Sequence, residues 1–271
     1  MMRLPVIEGL IRRRLLVNFR ADPDVVARLL PAGFRPKQHK GFAIVGICLI
    51  RLEEVRPKGL PRAMGISSEN AAHRIAVEWE APDAGATGWR EGVYIPRRDT
   101  GSVLNALAGG RVFPGEHHFS RFAVEEIGGA DGSGPTIRFS MQSVSDACCE
   151  TAPHADNDDS AVAIHLEGRN ADALPPGSVF HDLSEASAYF EGGCTGYSAT
   201  CDAARLDGIE LRTARWEVRP LDVTRVYSSY FANATRFPAG TVEFDHALIM
   251  RGIPHEWHSV PDFAVAAPAR A

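Results

Sequence analysis

Lysine is scarce in this chain. It occurs only at Lys37, Lys40 and Lys58 among 271 residues, and the other 26 basic residues are arginine. Amine chemistry therefore has three candidates, while permanently charged guanidinium forks suited to anions are plentiful. A basic surplus is also missing: 29 Lys+Arg face 34 Asp+Glu, a net charge of -5. That balance excludes a general nucleic-acid binder, which must neutralise phosphates. Long apolar runs are absent. The longest, Phe42 to Ile50, is interrupted by Gly46 and falls far short of the ~20 residues that span a bilayer. Glu8 and Arg12-Arg13-Arg14 break the apolar residues near the start, so no signal peptide is read there. Five cysteines, with Cys148 and Cys149 adjacent, form no disulfide framework, and a reduced, cytoplasmic setting is expected.

The usual chemical signatures are missing as well. The sequence has no G-x-S-x-G elbow, no G-x-G-x-x-G and no P-loop, so neither a serine nucleophile nor a nucleotide cofactor is expected. His255-Glu256-Trp257-His258 spaces its histidines by three rather than four, with Pro254 before them. A helical metal site needs the longer spacing. His117 and His118 are neighbours and point to opposite faces of a strand. No resident metal is expected. Cys194, in Gly192-Gly193-Cys194-Thr195-Gly196, reads as a small cysteine beside a helix end, with no histidine partner placed by sequence.

What is present is an ordinary globular composition, with 45% hydrophobic and 23% charged residues. Residues 1–271 are read as one domain whose core needs neither disulfides nor metal. RLLVNFR (14–20) alternates, with Leu15, Val17 and Phe19 on one face. Phe42 to Leu52 suits a strand buried on both faces. Further strands are expected at 74–80, 92–95, 118–127, 136–144, 161–166, 209–218, 226–231 and 241–250, separated by Gly and Asn/Asp clusters. Helices are expected near 22–30, capped by Asp22 with Pro23 next, near 100–108, and near 183–191 before Gly192-Gly193. The fold class is α+β, mainly β: an antiparallel barrel or sandwich with a few outer helices.

The arginines suggest a site. Arg97-Arg98-Asp99 follows GVYIP and precedes an expected helix. A carboxylate there would meet guanidinium forks and free helical N–H groups. Surface ion pairs are the competing reading. Arg12, Arg14, Asn18 and Arg20 share the polar face of the first strand, which either lines an interior or faces solvent.

Three blocks carry a family resemblance: LLVNFRADPDVVARLLPAGFRP with GFAIVGICLIRLEEV, then GVYIPRRDTGSVLNALAGGRVFPGEHHFSRF, then VTRVYSSYFANATRFPAGTVEFDHALIMRGIPHEW. In this order they resemble the acetoacetate decarboxylase-like superfamily, in its uncharacterised bacterial branch of unknown function. The resemblance implies a closed or cone-shaped, mostly antiparallel β-barrel with a central pocket. It also implies that the first strand and the block at 241–250 share a sheet. In the decarboxylase a lysine beside a second lysine forms a Schiff base with a β-keto acid, an arginine orients the carboxylate, and glutamates assist. Carried over, the arginine falls on or next to Arg12. The lysine pair falls near Asn105-Ala106, where this chain has no lysine. One glutamate falls near Ala43 and another near Glu69.

The resulting expectation is a pocket protein for an organic carboxylate or keto-acid-like anion, without the Schiff-base lysine and without a cofactor. A non-covalent lyase or hydratase-type enzyme is one form of it; a non-catalytic sensor or carrier, or a structural homo-oligomer, is the alternative. The expected ligand-binding residues are Arg12, Glu69, Arg97, Arg98, Asp99, Asn105 and His118, with Asp99 orienting a guanidinium and Asn105 or His118 polarising a carbonyl. A histidine titrating near neutrality would serve as general acid or base. All three lysines are expected to be solvated.

Overall fold

A computed structural model describes residues 5–81, 88–102, 115–128, 135–144 and 161–265. Fourteen strands form one hydrogen-bonded sheet. They are β1 (Ile7–Ala21), β2 (Phe34–Pro36), β3 (Gln38–His39), β4 (Phe42–Pro57), β5 (Ile66–Glu80), β6 (Trp89–Thr100) and β7 (His117–Ile127), followed by β8 (Thr136–Ser143), β9 (Ala163–Asn170), β10 (Thr195–Ser198), β11 (Arg205–Thr213), β12 (Arg219–Ser228), β13 (Val242–Ser259) and β14 (Phe263–Ala264). Among the described residues the helices are α1 (Pro23–Arg28), α2 (Leu183–Glu191) and α3 (Ser229–Ala232). The mainly β class expected from sequence is therefore observed.

The expected helices at 22–30 and 183–191 are α1 and α2, and Asp22 and Asp182 cap them by accepting backbone N–H groups. Most of the helix expected at 100–108 lies outside the described residues. The strand expected at 209–218 ends at Thr213, and β12 begins at Arg219. The strand expected at 226–231 stops at Ser228, where α3 takes over.

The sheet closes on itself twice. The strands β1, β4, β5, β6, β7, β8, β9, β12 and β13 pair in succession into a ring of nine. Two strands fork to make the second closure. The free edge of β6 pairs with β10 over Val93–Ile95 and with β7 over Arg98–Thr100. The free edge of β13 pairs with β12 over Ala247–Ile249 and with β11 over His255–Ser259. Since β10 pairs with β11, a smaller ring of seven strands forms that shares β13, β1, β4, β5 and β6 with the larger one. Pairing is antiparallel except at β6–β10 and β6–β7. The first strand and the 241–250 block do share this sheet, through β1 and β13.

The shared strands are covered on both faces, which is why β4 is a continuous apolar run rather than an alternation. Ala43, Val45, Ile47 and Leu49 join the core inside the ring of nine. Ile44, Cys48 and Leu52 join a second core on the other face, under α2, through Ala186 and Phe190. Gly46 is needed for close strand approach, because a Cβ there would lie 2.4 Å from the Val17 carbonyl oxygen.

Candidate functional site

A bulge near the start of β1 decides which arginine enters the protein. Against β4, Ile11 faces Leu52 and Arg13 faces Arg51, so Arg12 is an extra residue. Arg12 is exposed. Beyond the bulge, Arg13 turns to the nine-strand side and Arg14 to the seven-strand side. Arg13 there pairs with Glu69 at 2.8 Å and with Glu126 at 3.1 Å, and Arg251 meets Glu126 at 2.8 Å. Burial pushes the Glu69 carboxyl up, while Arg13 pulls it down.

The strand β6 separates the next pair of arginines in the same way. Sequence placed Arg97 and Arg98 together at a strand end; the strand instead continues to Thr100, and alternation sends them to opposite faces. Arg97 and Asp99 face the nine-strand side. Both Oδ atoms of Asp99 accept from Arg97, Nη2 at 2.9 Å and Nε at 3.0 Å, and Oδ1 also accepts from the Ser120 hydroxyl at 2.9 Å. Arg98 faces the smaller ring, where its Nε donates to Ser198 Oγ at 2.9 Å.

A cavity of about 140 Å³ lies inside the ring of seven, where Arg14, Cys48, Arg74, Arg98, His117 and Cys194 meet apolar side chains that include Leu211 and Trp257. A void of about this size can hold a benzene-sized molecule. Arg14 Nε donates to Cys48 Sγ at 3.2 Å, and Arg14 Nη1 is buried without a partner. Arg74 packs over the Phe190 ring at 4.9 Å, and its Nε is likewise buried without a partner. Burial lowers Arg74 and Arg98 to about 10, so both remain cationic at neutral pH. Among the described residues, none of Arg14, Arg74 and Arg98 has a carboxylate within ion-pair distance.

A buried chain aims Arg74. Its Nη2 donates to Asn18 Oδ1. Asn18 Nδ2 contacts His246 Nε2 at 3.0 Å, and His246 Nδ1 contacts Asp245 Oδ2 at 2.6 Å. The directions are forced. Arg74 can only donate, so Asn18 turns its amide N–H toward His246, and His246 then carries its proton on Nδ1 toward Asp245.

His117 lines the cavity, whereas His118 is the next residue along β7 and turns to the other face. His117 Nδ1 sits 3.1 Å from the Gly115 carbonyl. That oxygen can only accept, so Nδ1 carries the proton and Nε2 is left as an acceptor. Burial first, and then Arg98, lower His117 to about 3. His117 therefore stays uncharged at neutral pH. The unfolded imidazole takes up its proton below its ordinary value of 6.5, while the folded one resists until about 3. Stability contributed here is therefore present above 6.5 and lost as pH falls through that window. Urea midpoints at pH 7 and pH 5 are expected to show this loss, and His117→Gln is expected to shrink it; an equal loss in both proteins would reject the assignment.

Of the expected binding residues, Arg98 and Asp99 line this cavity, Arg98 with its guanidinium and Asp99 with its carboxylate held by Arg97 and Ser120. Arg12 is on the outer surface; Glu69 and Arg97 lie on the nine-strand side, paired with Arg13 and Asp99; His118 faces away; and Asn105 lies outside the described residues. Sequence reading missed Arg74, Cys48 and His117 as site residues. No motif marks them, because each comes from a different strand. The lysines avoid the cavity. Lys58 pairs with Glu256 at 2.6 Å and Lys40 with Glu185 at 3.1 Å. Lys37 is not solvated as expected: it is mostly buried, pairs with Glu91 at 2.6 Å and lies 4.1 Å over the Tyr189 ring. No described groups of three or more His, Cys, Asp or Glu could hold a metal, and no described helix is long and apolar enough to cross a membrane.

The sequence profile of the DUF2071 family, described as an uncharacterized conserved protein (COG2071), matches residues 10–248. The chain belongs to this family. The DUF2071 match takes in every strand that carries an arginine of the cavity. Curated proteins provide no sequence match. Solved structures agree in fold. An acetoacetate decarboxylase-like enzyme from Sphingomonas wittichii RW1 superposes with a TM-score of 0.54 at 12% identity, over 98% of this chain and 95% of that one. Acetoacetate decarboxylase from Legionella pneumophila gives 0.55 at 11% identity, over 96% and 89%. The enduracididine biosynthesis enzyme MppR, complexed with the condensation product of pyruvate and imidazole 4-carboxaldehyde, gives 0.56 at 11% identity, over 98% and 91%. This DUF2071 chain therefore has the acetoacetate decarboxylase-like fold.

Proposed function

We propose that the seven-strand ring binds a small organic carboxylate. The observation that carries this reading is the meeting of Arg14, Arg74 and Arg98 in one cavity, with no described carboxylate within ion-pair distance of any of them: Asp99, which also lines the cavity, is held by Arg97, and Asp207 acts on Arg98 only from further away. Burying three guanidinium groups together is costly unless an anion joins them. Their forked donors match a carboxylate in geometry as well as charge, and the apolar wall of Leu211 and Trp257 suits a short carbon skeleton. The scaffold shared with decarboxylase-like enzymes supports a pocket here, but Schiff-base catalysis has no amine to work with, since none of the chain's three lysines lines the cavity. Chemistry, if present, runs through the arginines and their neighbours.

A thermal-shift screen with small carboxylic acids and their matched neutral amides tests the reading. Several acids are expected to raise the melting temperature by mass action, and the amides are expected to leave it unchanged. If no acid does so, or amides do so equally, the anion pocket is wrong.

A further inference from the structure

Cys48 belongs to the second core and also lines the cavity that holds the arginines. Its sulfur receives the Arg14 Nε–H at 3.2 Å. Cys48 lines the same cavity as Arg74 and Arg98, so the sulfur and three guanidinium groups share one cavity wall. Arg74 is only 5% exposed and keeps an unpartnered Nε. The other cavity cysteine is differently placed. Cys194 donates its S–H to the Glu191 carbonyl at 2.9 Å, and burial pushes its thiol up. No described disulfide removes Cys48 from reaction.

We propose that Cys48 is a nucleophile that adds to α,β-unsaturated carboxylates captured by Arg14, Arg74 and Arg98. This rests on the anion-pocket reading. In water a carboxylate makes a poor acceptor for a thiol, because its negative charge opposes the electron density arriving during addition. Guanidinium groups on the carboxylate oxygens reverse that penalty, since they stabilise the charge as it develops. The sulfur forms a bond to the β-carbon. The C=C π pair moves toward the α-carbon and the carboxylate, and the α-carbon takes up the proton that the thiol gave up, carried by water. The product is a thioether, with no change of oxidation state that needs a second reagent.

The test compares acrylate with acrylamide, which differ only in charge and terminal group, by mass mapping of each cysteine in the folded protein. Cys201 is exposed and serves as the internal reference. At Cys201 the amide is expected to react much faster than the acid. At Cys48 the acrylate-to-acrylamide rate ratio is expected to exceed the Cys201 ratio by at least about tenfold, the low end of enrichment by a charged cleft. Cys48→Ser removes that adduct, and Arg98→Gln is expected to return the ratio toward the Cys201 value. If Arg98→Gln does not fold, the ratio in the unaltered protein decides alone. A Cys48 ratio equal to that of Cys201, or a Cys48 inert to acrylate, overturns the proposal. If carboxylates still raise the melting temperature in that case, only the covalent step fails; if they do not, the anion pocket fails with it.

Discussion

Replacing Arg98 with alanine is expected to weaken binding of a small carboxylate by roughly 10- to 150-fold, the loss of a charge-assisted hydrogen bond of about 1.5–3 kcal/mol. Arg98 reaches the cavity from β6 with its Nε anchored on Ser198 Oγ at 2.9 Å, and it has no carboxylate partner among the described residues. The anchored edge fixes the plane of the guanidinium, so the fork meets its ligand with little further ordering. Arg12 provides the control. It is exposed at the bulge in β1, and Arg12→Ala is expected to leave affinity unchanged. Calorimetric titration of both variants with whichever acid most raises the melting temperature checks the pair. Equal affinities in the two variants would place the anion elsewhere.

The second large effect is on stability. Asp99→Ala is expected to destabilise the protein by up to about 3–5 kcal/mol, because it breaks a buried ion pair. Arg97 and Asp99 are 5% and 0% exposed, and they make two hydrogen bonds to each other inside the ring of nine. Removing the carboxylate takes two hydrogen bonds from a buried guanidinium and the acceptor from the Ser120 hydroxyl. Arg169 and Asp222 form a contrasting pair at 3.3 Å with both side chains at least half exposed; Asp222→Ala is expected to cost less than about 1 kcal/mol. Urea unfolding measures both. Similar losses from the two substitutions would show that Arg97 finds water or another partner.

The sequence was legible where local rules act strongly. The cap at Asp22 depends on a side chain and the next three residues. The run through β4 announced a strand covered on both faces, and it is covered by two cores. The face of β1 that carries Leu15, Val17 and Phe19 was readable by alternation. Alternation also explains the failures. Arg97 and Arg98 looked like one cluster because they are adjacent, yet a strand that continues past them must split them. The family resemblance put the carboxylate-orienting arginine on or next to Arg12, and an uninterrupted strand would have turned Arg12 and Arg14 the same way. The bulge gives Arg12 to the surface and Arg14 to the cavity.

By itself, the sequence determined the mainly β class, the helices α1 and α2, the Asp22 cap, the shortage of amines and the abundance of guanidinium groups. These depend on composition and on contacts within a few residues. The tertiary structure alone decided that the sheet closes twice, that β10 and β11 wall off a second ring, and that Arg14, Cys48, Arg74, Arg98 and His117 meet inside it. The physical reason is that β6 and β13 each divide one edge between two partners. Which partner takes which stretch of edge is settled by strands far away in the chain, and no local pattern of side chains records that choice.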